Sequence, residues 1–370
     1  VWIMAYTTID KSDEHFNIVL WTGDASSDKS ISGVGFQPDW VWAKNRSDSN
    51  DHQLIDSNRG AGKILRMNNR GPELTRSSDV GAGGLQNFET DGFDIHSTST
   101  NTNLNDNGEL NVAWCWKANG GTTSSNSDGS ITSTVQANTT AGFSIVTWTG
   151  TGSNATIGHG LGKAPKVVIN KGRGNTDDWL FFHGDLDQSK TLWMNSTDSV
   201  KNESTYYPIF WNSTDPTSSV VHLGTNAAAN GSSVNHVAYC FAEIQGYSKF
   251  GLYMNQGNVD GTFVYTGFTP SYVMFKQTNS SDTAHWFIYD TTRSPTNVIG
   301  DDAIAPNLST AEGLGSTWNP NTSDSVVDFL SNGFKIRTTA TSGFNINGNT
   351  MMYFAFAEHP FVSSKGVPVT

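Results

Sequence analysis

The chain has very little cysteine: only Cys115 and Cys240 occur among its 370 residues. Two thiols cannot supply the disulfide framework on which small secreted domains depend. Both occupy the same place in a repeated pattern described below, so they should lie too far apart to bridge. We therefore interpret both as free, buried thiols that pack as small apolar residues.

Positive charge is also scarce. Lys and Arg number 22 against 34 Asp and Glu, which gives a formal net charge of −12. Because nucleic acids and anionic membranes are recognised through basic patches, the sequence predicts no nucleic-acid partner. No apolar run reaches the length of a transmembrane helix, so we expect no membrane insertion. The first residues carry no basic stretch before an apolar segment, and we expect synthesis without a signal peptide.

Helical patterns are missing too. No long segment places apolar residues three and four positions apart, and no heptads favour a coiled coil. The chain instead contains 37 glycines, many polar turn residues, 12 Trp and 20 Phe. The aromatic residues provide ample material for a core. The sequence therefore predicts an all-β protein.

One ten-residue motif occurs three times, at Gly35–Lys44, Gly162–Lys171 and Gly267–Lys276. In each copy a proline is followed by an apolar run and a lysine. Proline is tolerated at the first position of a strand, so each copy predicts a largely buried strand. Further along, Asn-Gly pairs at positions 107–108, 230–231 and 347–348 predict tight hairpin turns.

Other features keep the same order, including a Trp-Thr-Gly motif at Trp21 and Trp148 with Tyr265 as its third copy. The recurrence predicts tandem antiparallel β-sandwich-like (jelly-roll-like) domains, three in number. The predicted segments are repeat 1 (1–118), a Gly/Ser/Thr-rich linker (119–141), repeat 2 (142–243), a junction (244–261), repeat 3 (262–362) and a tail (363–370).

The linker composition is typical of a flexible chain, which predicts three domains in series with separate cores. Within it, Ile131–Val135 alternates well enough for an edge strand. Cys115, Cys240 and Ala355 hold equivalent positions, so we expect each to be a small buried residue of its own core. Cys240→Trp should then loosen repeat 2 and leave the melting of repeat 1 unchanged, whereas repeat 3 can couple to repeat 2 through Tyr247, Phe250 and Tyr253.

Several motifs together resemble the repeat domain of marine bacteriophage virion proteins of the tail-fibre-like or structural type. They include Trp21-Thr-Gly23, the Gly35–Lys44 motif, Ala238–Glu243 (Ala-Tyr-Cys-Phe-Ala-Glu) and Phe356–Phe361 (Phe-Ala-Glu-His-Pro-Phe). The resemblance implies a virion location and other virion proteins as partners, and it supplies no catalytic residues. We expect a non-catalytic tail fibre, spacer or capsid decoration. The oligomeric state, a trimer included, stays open.

An acid–arginine pair recurs after the core strand, at Asp56 and Arg59 and again at Asp290 and Arg293. Repeat 2 has Asp185 and Gln188 in the matching place. A structural ion pair or a turn cap is the favoured interpretation, and a grip on a polar ligand is the alternative. The strand-end lysines Lys44, Lys171 and Lys276 are expected to be exposed and to guard sheet edges rather than to act as nucleophiles.

Three tryptophans, Trp42, Trp179 and Trp286, are candidate platforms for a host-surface glycan, with core packing as the competing interpretation. Such binding would make the chain a receptor-binding module for host attachment. A polysaccharide depolymerase is a weaker alternative, because it needs two facing carboxylates that spacing cannot reveal. We find no catalytic motif, no cofactor motif and no metal-binding spacing; the Asn103–Gly108 segment lacks the acidic ligands of a calcium loop.

Overall fold

The computed structural model describes residues 7–75, 84–96, 103–203, 210–279, 284–294, 298–299, 302–313, 325–339 and 343–360. In these ranges the chain is built from antiparallel strands, with one α-helix of four residues. The predicted all-β class is confirmed. Across the same ranges, none of the helices has the length and apolar character required to cross a membrane.

The elements follow one another along the chain in three groups. The first group has a 3-10 turn (Ser12–Glu14), β1 (Phe16–Thr22), β2 (Asp28–Ser32), β3 (Trp40–Asn45), β4 (Gln53–Asp56), β5 (Lys63–Ile64), β6 (Leu74–Thr75), β7 (Gly84–Glu89), β8 (Gly92–His96) and β9 (Leu110–Trp116). The second has β10 (Ser124–Asn126), β11 (Ser133–Asn138), β12 (Phe143–Thr149), β13 (Ala155–Gly158), β14 (Val167–Gly172), β15 (Leu180–His183), β16 (Lys190–Trp193), β17 (Lys201–Asn202), β18 (Val220–Leu223), α1 (Ala227–Asn230) and β19 (Asn235–Phe241). The third has β20 (Ser248–Met254), β21 (Phe263–Tyr265), β22 (Phe268–Gln277), β23 (Trp286–Asp290), β24 (Val298–Ile299), β25 (Ser325–Leu330), β26 (Gly333–Ile336) and β27 (Thr350–Pro360).

Each group contains four strands hydrogen-bonded in the same order, which we call the inner sheet. The orders are β1-β9-β3-β4, β12-β19-β14-β15 and β20-β27-β22-β23. The three strands predicted from the proline–lysine motif are confirmed as β3, β14 and β22, and nearly all of their residues are buried. They form because branched or aromatic residues suit a strand buried on both faces. Proline precedes β3 and β14 by two residues, as expected, but in β22 Pro270 is the third residue and lies at a shift of register.

A second sheet accompanies each inner sheet, with the orders β2-β8-β7, β13-β18 and β21-β26-β25-β24. Asp91-Gly92 and Asn332-Gly333 form the β7–β8 and β25–β26 hairpin turns. The prediction of hairpins at the three Asn-Gly pairs is wrong, because the strands before and after each pair belong to different sheets. At Asn230 the pair ends α1, and Gly231 has φ −55°, outside the positive range that the predicted turn requires.

Alternation along the strands divides the buried side chains between two kinds of core. In β9, Val112, Trp114 and Trp116 belong to one large cluster, whereas Ala113 and Cys115 belong to a smaller cluster of repeat 1. Successive strand residues point to opposite faces, which explains the division. β19 and β27 divide their residues in the same way.

The cysteine prediction is confirmed. Cys115 and Cys240 are free and fully buried, and Ala355 is buried at the equivalent position. The three residues belong to three different small clusters. Burial raises the pKa of the Cys240 thiol to about 12, so this thiol stays protonated at neutral pH.

The large cluster corrects the expectation of separate cores joined in series. It draws residues from all three inner sheets, whose large side chains meet in the middle. The rings of Trp40 and Tyr239 stack at 4.3 Å, Trp114 and Tyr272 meet edge to face at 5.9 Å, and Phe241 meets Phe354 at 5.0 Å. Each repeat therefore has a small core of its own and a share in a common one.

Residues 119–141, predicted to be a flexible linker, instead contain paired strands. Residues 119–141 contain β10 and β11, and β11 pairs with β12 from Thr134↔Thr147 to Asn138↔Phe143. The segment also lies against β13, where a Cβ on Gly158 would come within 1.7 Å of Asn126 Oδ1. Composition indicated flexibility, but the backbone pairing of a strand does not require apolar residues on both faces.

The predicted junction, residues 244–261, contributes a strand to the third inner sheet. β20 pairs with β27 as β1 pairs with β9 and β12 with β19. The register makes Tyr253 the counterpart of Trp21 and Trp148, and Tyr265 lies in the second sheet. From here on, residues 119–141 are counted with repeat 2 and residues 244–261 with repeat 3.

Candidate functional site

The three candidate tryptophan platforms are not exposed. Trp42, Trp179 and Trp286 are at most 1% accessible and belong to the shared core. Without an exposed ring face, a sugar cannot stack on them. The core-packing interpretation accounts for these three side chains.

Two of these indoles form hydrogen bonds that cross between repeats. Trp179 Nε1 of repeat 2 donates to Arg66 O of repeat 1 at 3.0 Å, and Trp286 Nε1 of repeat 3 donates to Trp193 O of repeat 2 at 3.1 Å. The equivalent place in repeat 1 is His52, whose Nε2 lies 3.0 Å from Ala305 O of repeat 3. The three bonds connect repeat 2 to 1, 3 to 2 and 1 to 3, so the repeats form a closed ring.

Neighbouring contacts fix how His52 takes part in this ring of bonds. Trp42 Nε1 donates to His52 Nδ1 at 2.9 Å, so Nδ1 is the acceptor. The hydrogen of the neutral imidazole is therefore on Nε2, which donates a hydrogen bond to Ala305 O. Burial, with a smaller contribution from the charge of Lys44, lowers the pKa of His52 to about 3. The imidazole of His52 is therefore neutral at physiological pH, which leaves Nδ1 unprotonated and able to accept the hydrogen bond from Trp42.

A second set of three bonds closes the same ring through the backbone. Glu73 N donates to Arg173 O at 2.7 Å, and Glu312 N donates to Arg46 O at 2.9 Å. Between repeats 2 and 3, Val200 N donates to Thr278 O at 3.0 Å. These pairs make Glu73, Val200 and Glu312 equivalent, and likewise Arg173, Thr278 and Arg46.

The predicted acid–arginine pair of repeat 1 is a buried ion pair at the junction with repeat 2. Arg59 Nε lies 2.5 Å from Asp56 Oδ2, and Arg59 Nη1 lies 3.0 Å from Glu73 Oε2. Arg173 of repeat 2 then binds Glu73 with two hydrogen bonds, at 2.8 and 2.9 Å. Tyr239 of repeat 2 donates its hydroxyl to Asp56 Oδ2 at 2.8 Å.

The other predicted pair forms the same network at the junction of repeats 3 and 1. Arg293 Nε lies 2.6 Å from Asp290 Oδ2 and Arg293 Nη1 lies 2.5 Å from Glu312 Oε1. Arg46 of repeat 1 binds Glu312 at 2.6 Å, and Trp114 of repeat 1 donates to Asp290 Oδ2 at 3.0 Å. Burial alone would lower the pKa of Arg293, but Asp290 and Glu312 outweigh it, so the pKa is raised and the guanidinium stays charged.

The third junction, between repeats 2 and 3, lacks this network. Strand register places His183 opposite Val167, as Asp56 lies opposite Trp40, so His183 is the counterpart of Asp56 and the predicted match with Asp185 is wrong. Counting three residues on, Leu186 replaces the arginine. Burial lowers the pKa of His183 to about 4, which leaves this residue uncharged.

A cleft of about 640 Å³ opens at this third junction, where Leu186, Val200 and Thr278 lie in place of charged side chains. Residues from both repeats line it: repeat 2 contributes β16, β17 and the loop after β15, and repeat 3 contributes β20, β27 and the residues after β22. We call it the 2–3 cleft. It is the place where the symmetry of the three junctions is broken.

The strand-end lysines are buried, which corrects the expectation of exposure. Lys44, Lys171 and Lys276 have no accessible surface, and their ammonium groups donate to backbone carbonyls. Lys276 also reaches across to Thr197 O of repeat 2 at 3.1 Å. Burial lowers the pKa to about 8 for Lys44 and Lys171 and to about 7 for Lys276.

The segment weighed as a calcium loop, Asn103–Gly108, and the turn at His159 both serve local structure. Asn105 is fully buried and donates to Asp24 Oδ1 and Ser26 O, so it connects this loop to the segment that follows β1. His159 accepts the backbone N–H of Leu161 at 3.2 Å. Within the described ranges, no group of three His, Cys, Asp or Glu side chains is placed to hold a metal ion.

Sequence reasoning missed Glu73, Glu312, Arg46 and Arg173, which complete the two networks. The acids follow their partners by 14 and 19 residues, so no fixed spacing signals them. The two arginines do share a signal, because each comes two residues after a motif lysine.

Comparison with known proteins gives one match. A family model described as a domain of unknown function, DUF7483, matches residues 11–360. No curated protein and no solved structure matches the chain.

Proposed function

We propose that this chain, which belongs to the DUF7483 family, is a non-catalytic structural protein of a bacteriophage virion. It would act there as a fibre segment, spacer or surface decoration and contact other virion proteins. The resemblance of its repeats to marine phage virion proteins motivates the proposal. Nothing in the proposal requires a cofactor.

One observation carries the structural role: polar groups at equivalent positions are used to join the repeats. Asp56 and Asp290 are buried, pair with Arg59 and Arg293 of their own repeats, and accept hydrogen bonds from Tyr239 and Trp114 of the neighbouring repeats instead of lining an open groove. A buried ion pair is costly to break once formed, because removing one partner leaves the other uncompensated. A rigid body of this kind suits a component of an assembled particle.

We further propose that the chain consists of three β-sandwich units with a common centre. Each unit has an inner sheet of the same strand order and a second sheet, with a small core between them. A single chain arranged in this way imitates a trimer, and its approximate threefold axis could match that of a trimeric fibre.

The test is the protein content of purified particles. Particles of the phage that encodes the chain would be purified by density gradient and analysed by mass spectrometry, and antibody against the chain would be located by immunogold microscopy. We expect the chain in intact virions at a fixed copy number. Its absence from intact virions, with abundant chain in the lysate, would refute the proposal.

A further inference from the structure

The 2–3 cleft is open because three large charged side chains are absent there. At the other two junctions the equivalent space holds an arginine, a glutamate and a second arginine. Leu186, Val200 and Thr278 are shorter or uncharged, yet the backbone bond from Val200 N to Thr278 O is kept at 3.0 Å. The repeats thus meet with the same geometry while the side chains leave a cleft.

The lining of the cleft has two parts. The apolar side chains are those of Leu186, Val200 and Leu252. The polar ones carry hydroxyl, amide and charged groups on both repeats: Asp185, Asp187, Lys190, Ser199, Asn202, Thr278, Asn279 and Thr350. Hydroxyls and amides both donate and accept hydrogen bonds, so they can match a ligand that has many hydroxyl groups.

Several lining groups are held in place by the protein. Lys166 lies 2.5 Å from Asp185 Oδ1, and Asp187 Oδ1 accepts the hydroxyl of Ser189 at 2.5 Å. The backbone N–H of Thr350 donates to Asn279 Oδ1 at 2.7 Å, which orients that amide. Groups fixed before binding lose less conformational entropy when a ligand arrives.

The chemistry of the lining argues against two other classes of ligand. A divalent cation needs several oxygen ligands converging on one point, and no group of three ligating His, Cys, Asp or Glu side chains occurs in the part of the chain described. Among the described lining residues an anion would meet the carboxylates of Asp185 and Asp187 against the ammonium group of Lys190. Lys166 is already paired with Asp185, on a chain whose net charge is −12. A neutral ligand meets neither obstacle.

We propose that the 2–3 cleft binds an uncharged saccharide. The aliphatic side chains would contact the C–H groups of a sugar ring, and the hydroxyl, amide and carboxylate groups would bond its hydroxyls. The volume of about 640 Å³ is in the range of ligand sites in proteins. This site is distinct from the predicted tryptophan platforms. The proposal does not depend on a virion location.

The test uses the full chain and a panel of neutral sugars: glucose, galactose, mannose, N-acetylglucosamine, lactose and maltotriose, with the anionic 3′-sialyllactose as comparison. Saturation-transfer NMR at millimolar sugar should give saturable binding for at least one neutral sugar. Ser199→Trp, which adds a bulky side chain to the lining, should weaken that binding at least tenfold. Ser218→Trp, on an exposed loop of the same repeat, is the matched control and should bind as the wild type does.

A second variant tests the site without adding an aromatic group. Leu186→Arg, Val200→Glu and Thr278→Arg together reproduce the side chains of the other junctions and should also abolish binding. The absence of binding by every neutral sugar would overturn the proposal, as would binding that persists in both variants. Neither result bears on the virion proposal, which is decided by particle composition.

Discussion

At the scale of single residues, Arg59 and Arg293 show how buried charge holds the repeats together. Both guanidiniums lie between two carboxylates, and neither side chain has access to solvent. Arg59→Met should destabilise the protein by about 3–5 kcal/mol, because Asp56 and Glu73 lose their buried partner. Urea unfolding followed by Trp fluorescence measures the change.

The control for that variant is Lys11→Ala, which breaks an exposed ion pair with Glu14. Exposed pairs contribute little to stability, so this variant should unfold as the wild type does. An Arg59→Met protein as stable as the Lys11→Ala protein would contradict the role given to the network.

Lys276 gives a prediction about pH. Burial lowers its pKa to about 7 in the folded protein, and Asp198 offsets this only in part; an unfolded lysine has a pKa of about 10.4. Between these values the unfolded state binds more protons, so this lysine makes stability rise as pH rises. Below pH 7 both states are protonated, and the full cost of burying the charge is present.

The measurement is the free energy of unfolding at several pH values between 7 and 9. Lys276→Met should show a smaller increase with pH than the wild type, whereas Lys163→Met, at an exposed position, should follow the wild-type slope. Comparison with the wild type cancels the titration of the thiols and other groups. Equal slopes for all three proteins would show that Lys276 does not titrate in this range.

At the scale of elements, β11 shows that residues 119–141 are part of the fold. Val135 is 3% exposed and packs in the small core of repeat 2, whereas Thr134 beside it faces solvent. Val135→Ala should cost about 1–2 kcal/mol, because it removes buried methyl groups and leaves a space. Thr134→Ala should have little effect. In a flexible linker both substitutions would be neutral.

How far the sequence predicts the elements depends on what each signal reports. The proline–lysine strands were predictable, because a proline followed by branched and aromatic residues reports a local preference. β20 (Ser248–Met254) lacks the Trp-Thr-Gly motif, whose third copy at Tyr265 lies in β21 of the second sheet, so the motif does not report this strand. Its pairing with β27 depends on distant residues, which local patterns do not report.

The candidate site was predictable only in its ion pairs. The recurrence of Asp56 with Arg59 and of Asp290 with Arg293 indicated the buried pairs. The sequence could not show whether the tryptophans are exposed sugar platforms, because it does not distinguish an exposed indole from one in a shared core. The burial of Lys44 does not follow from the sequence for a related reason: the backbone carbonyls that accept hydrogen bonds from its ammonium group are not visible in a pattern of side chains.

At the scale of the whole molecule, the shared core predicts cooperative unfolding. Cys240→Trp should overpack the small core of repeat 2 by about 1–3 kcal/mol or more. Because β19 also supplies Tyr239 and Phe241 to the common core, the damage should spread to all three repeats. Calorimetry should show one transition at a lower temperature, with Ser218→Trp unchanged. A second transition that stays at the wild-type temperature would indicate independent domains.

The central claim is that the three repeats close around one core, and small-angle X-ray scattering of the monomeric chain tests it most directly. A compact body of 370 residues has a radius of gyration of about 21 Å. Three domains in an open row would give about 30 Å, since each adds its own diameter to the length. We predict a value close to 21 Å with a bell-shaped distribution of distances. A value close to 30 Å with an extended distribution would contradict the closed ring.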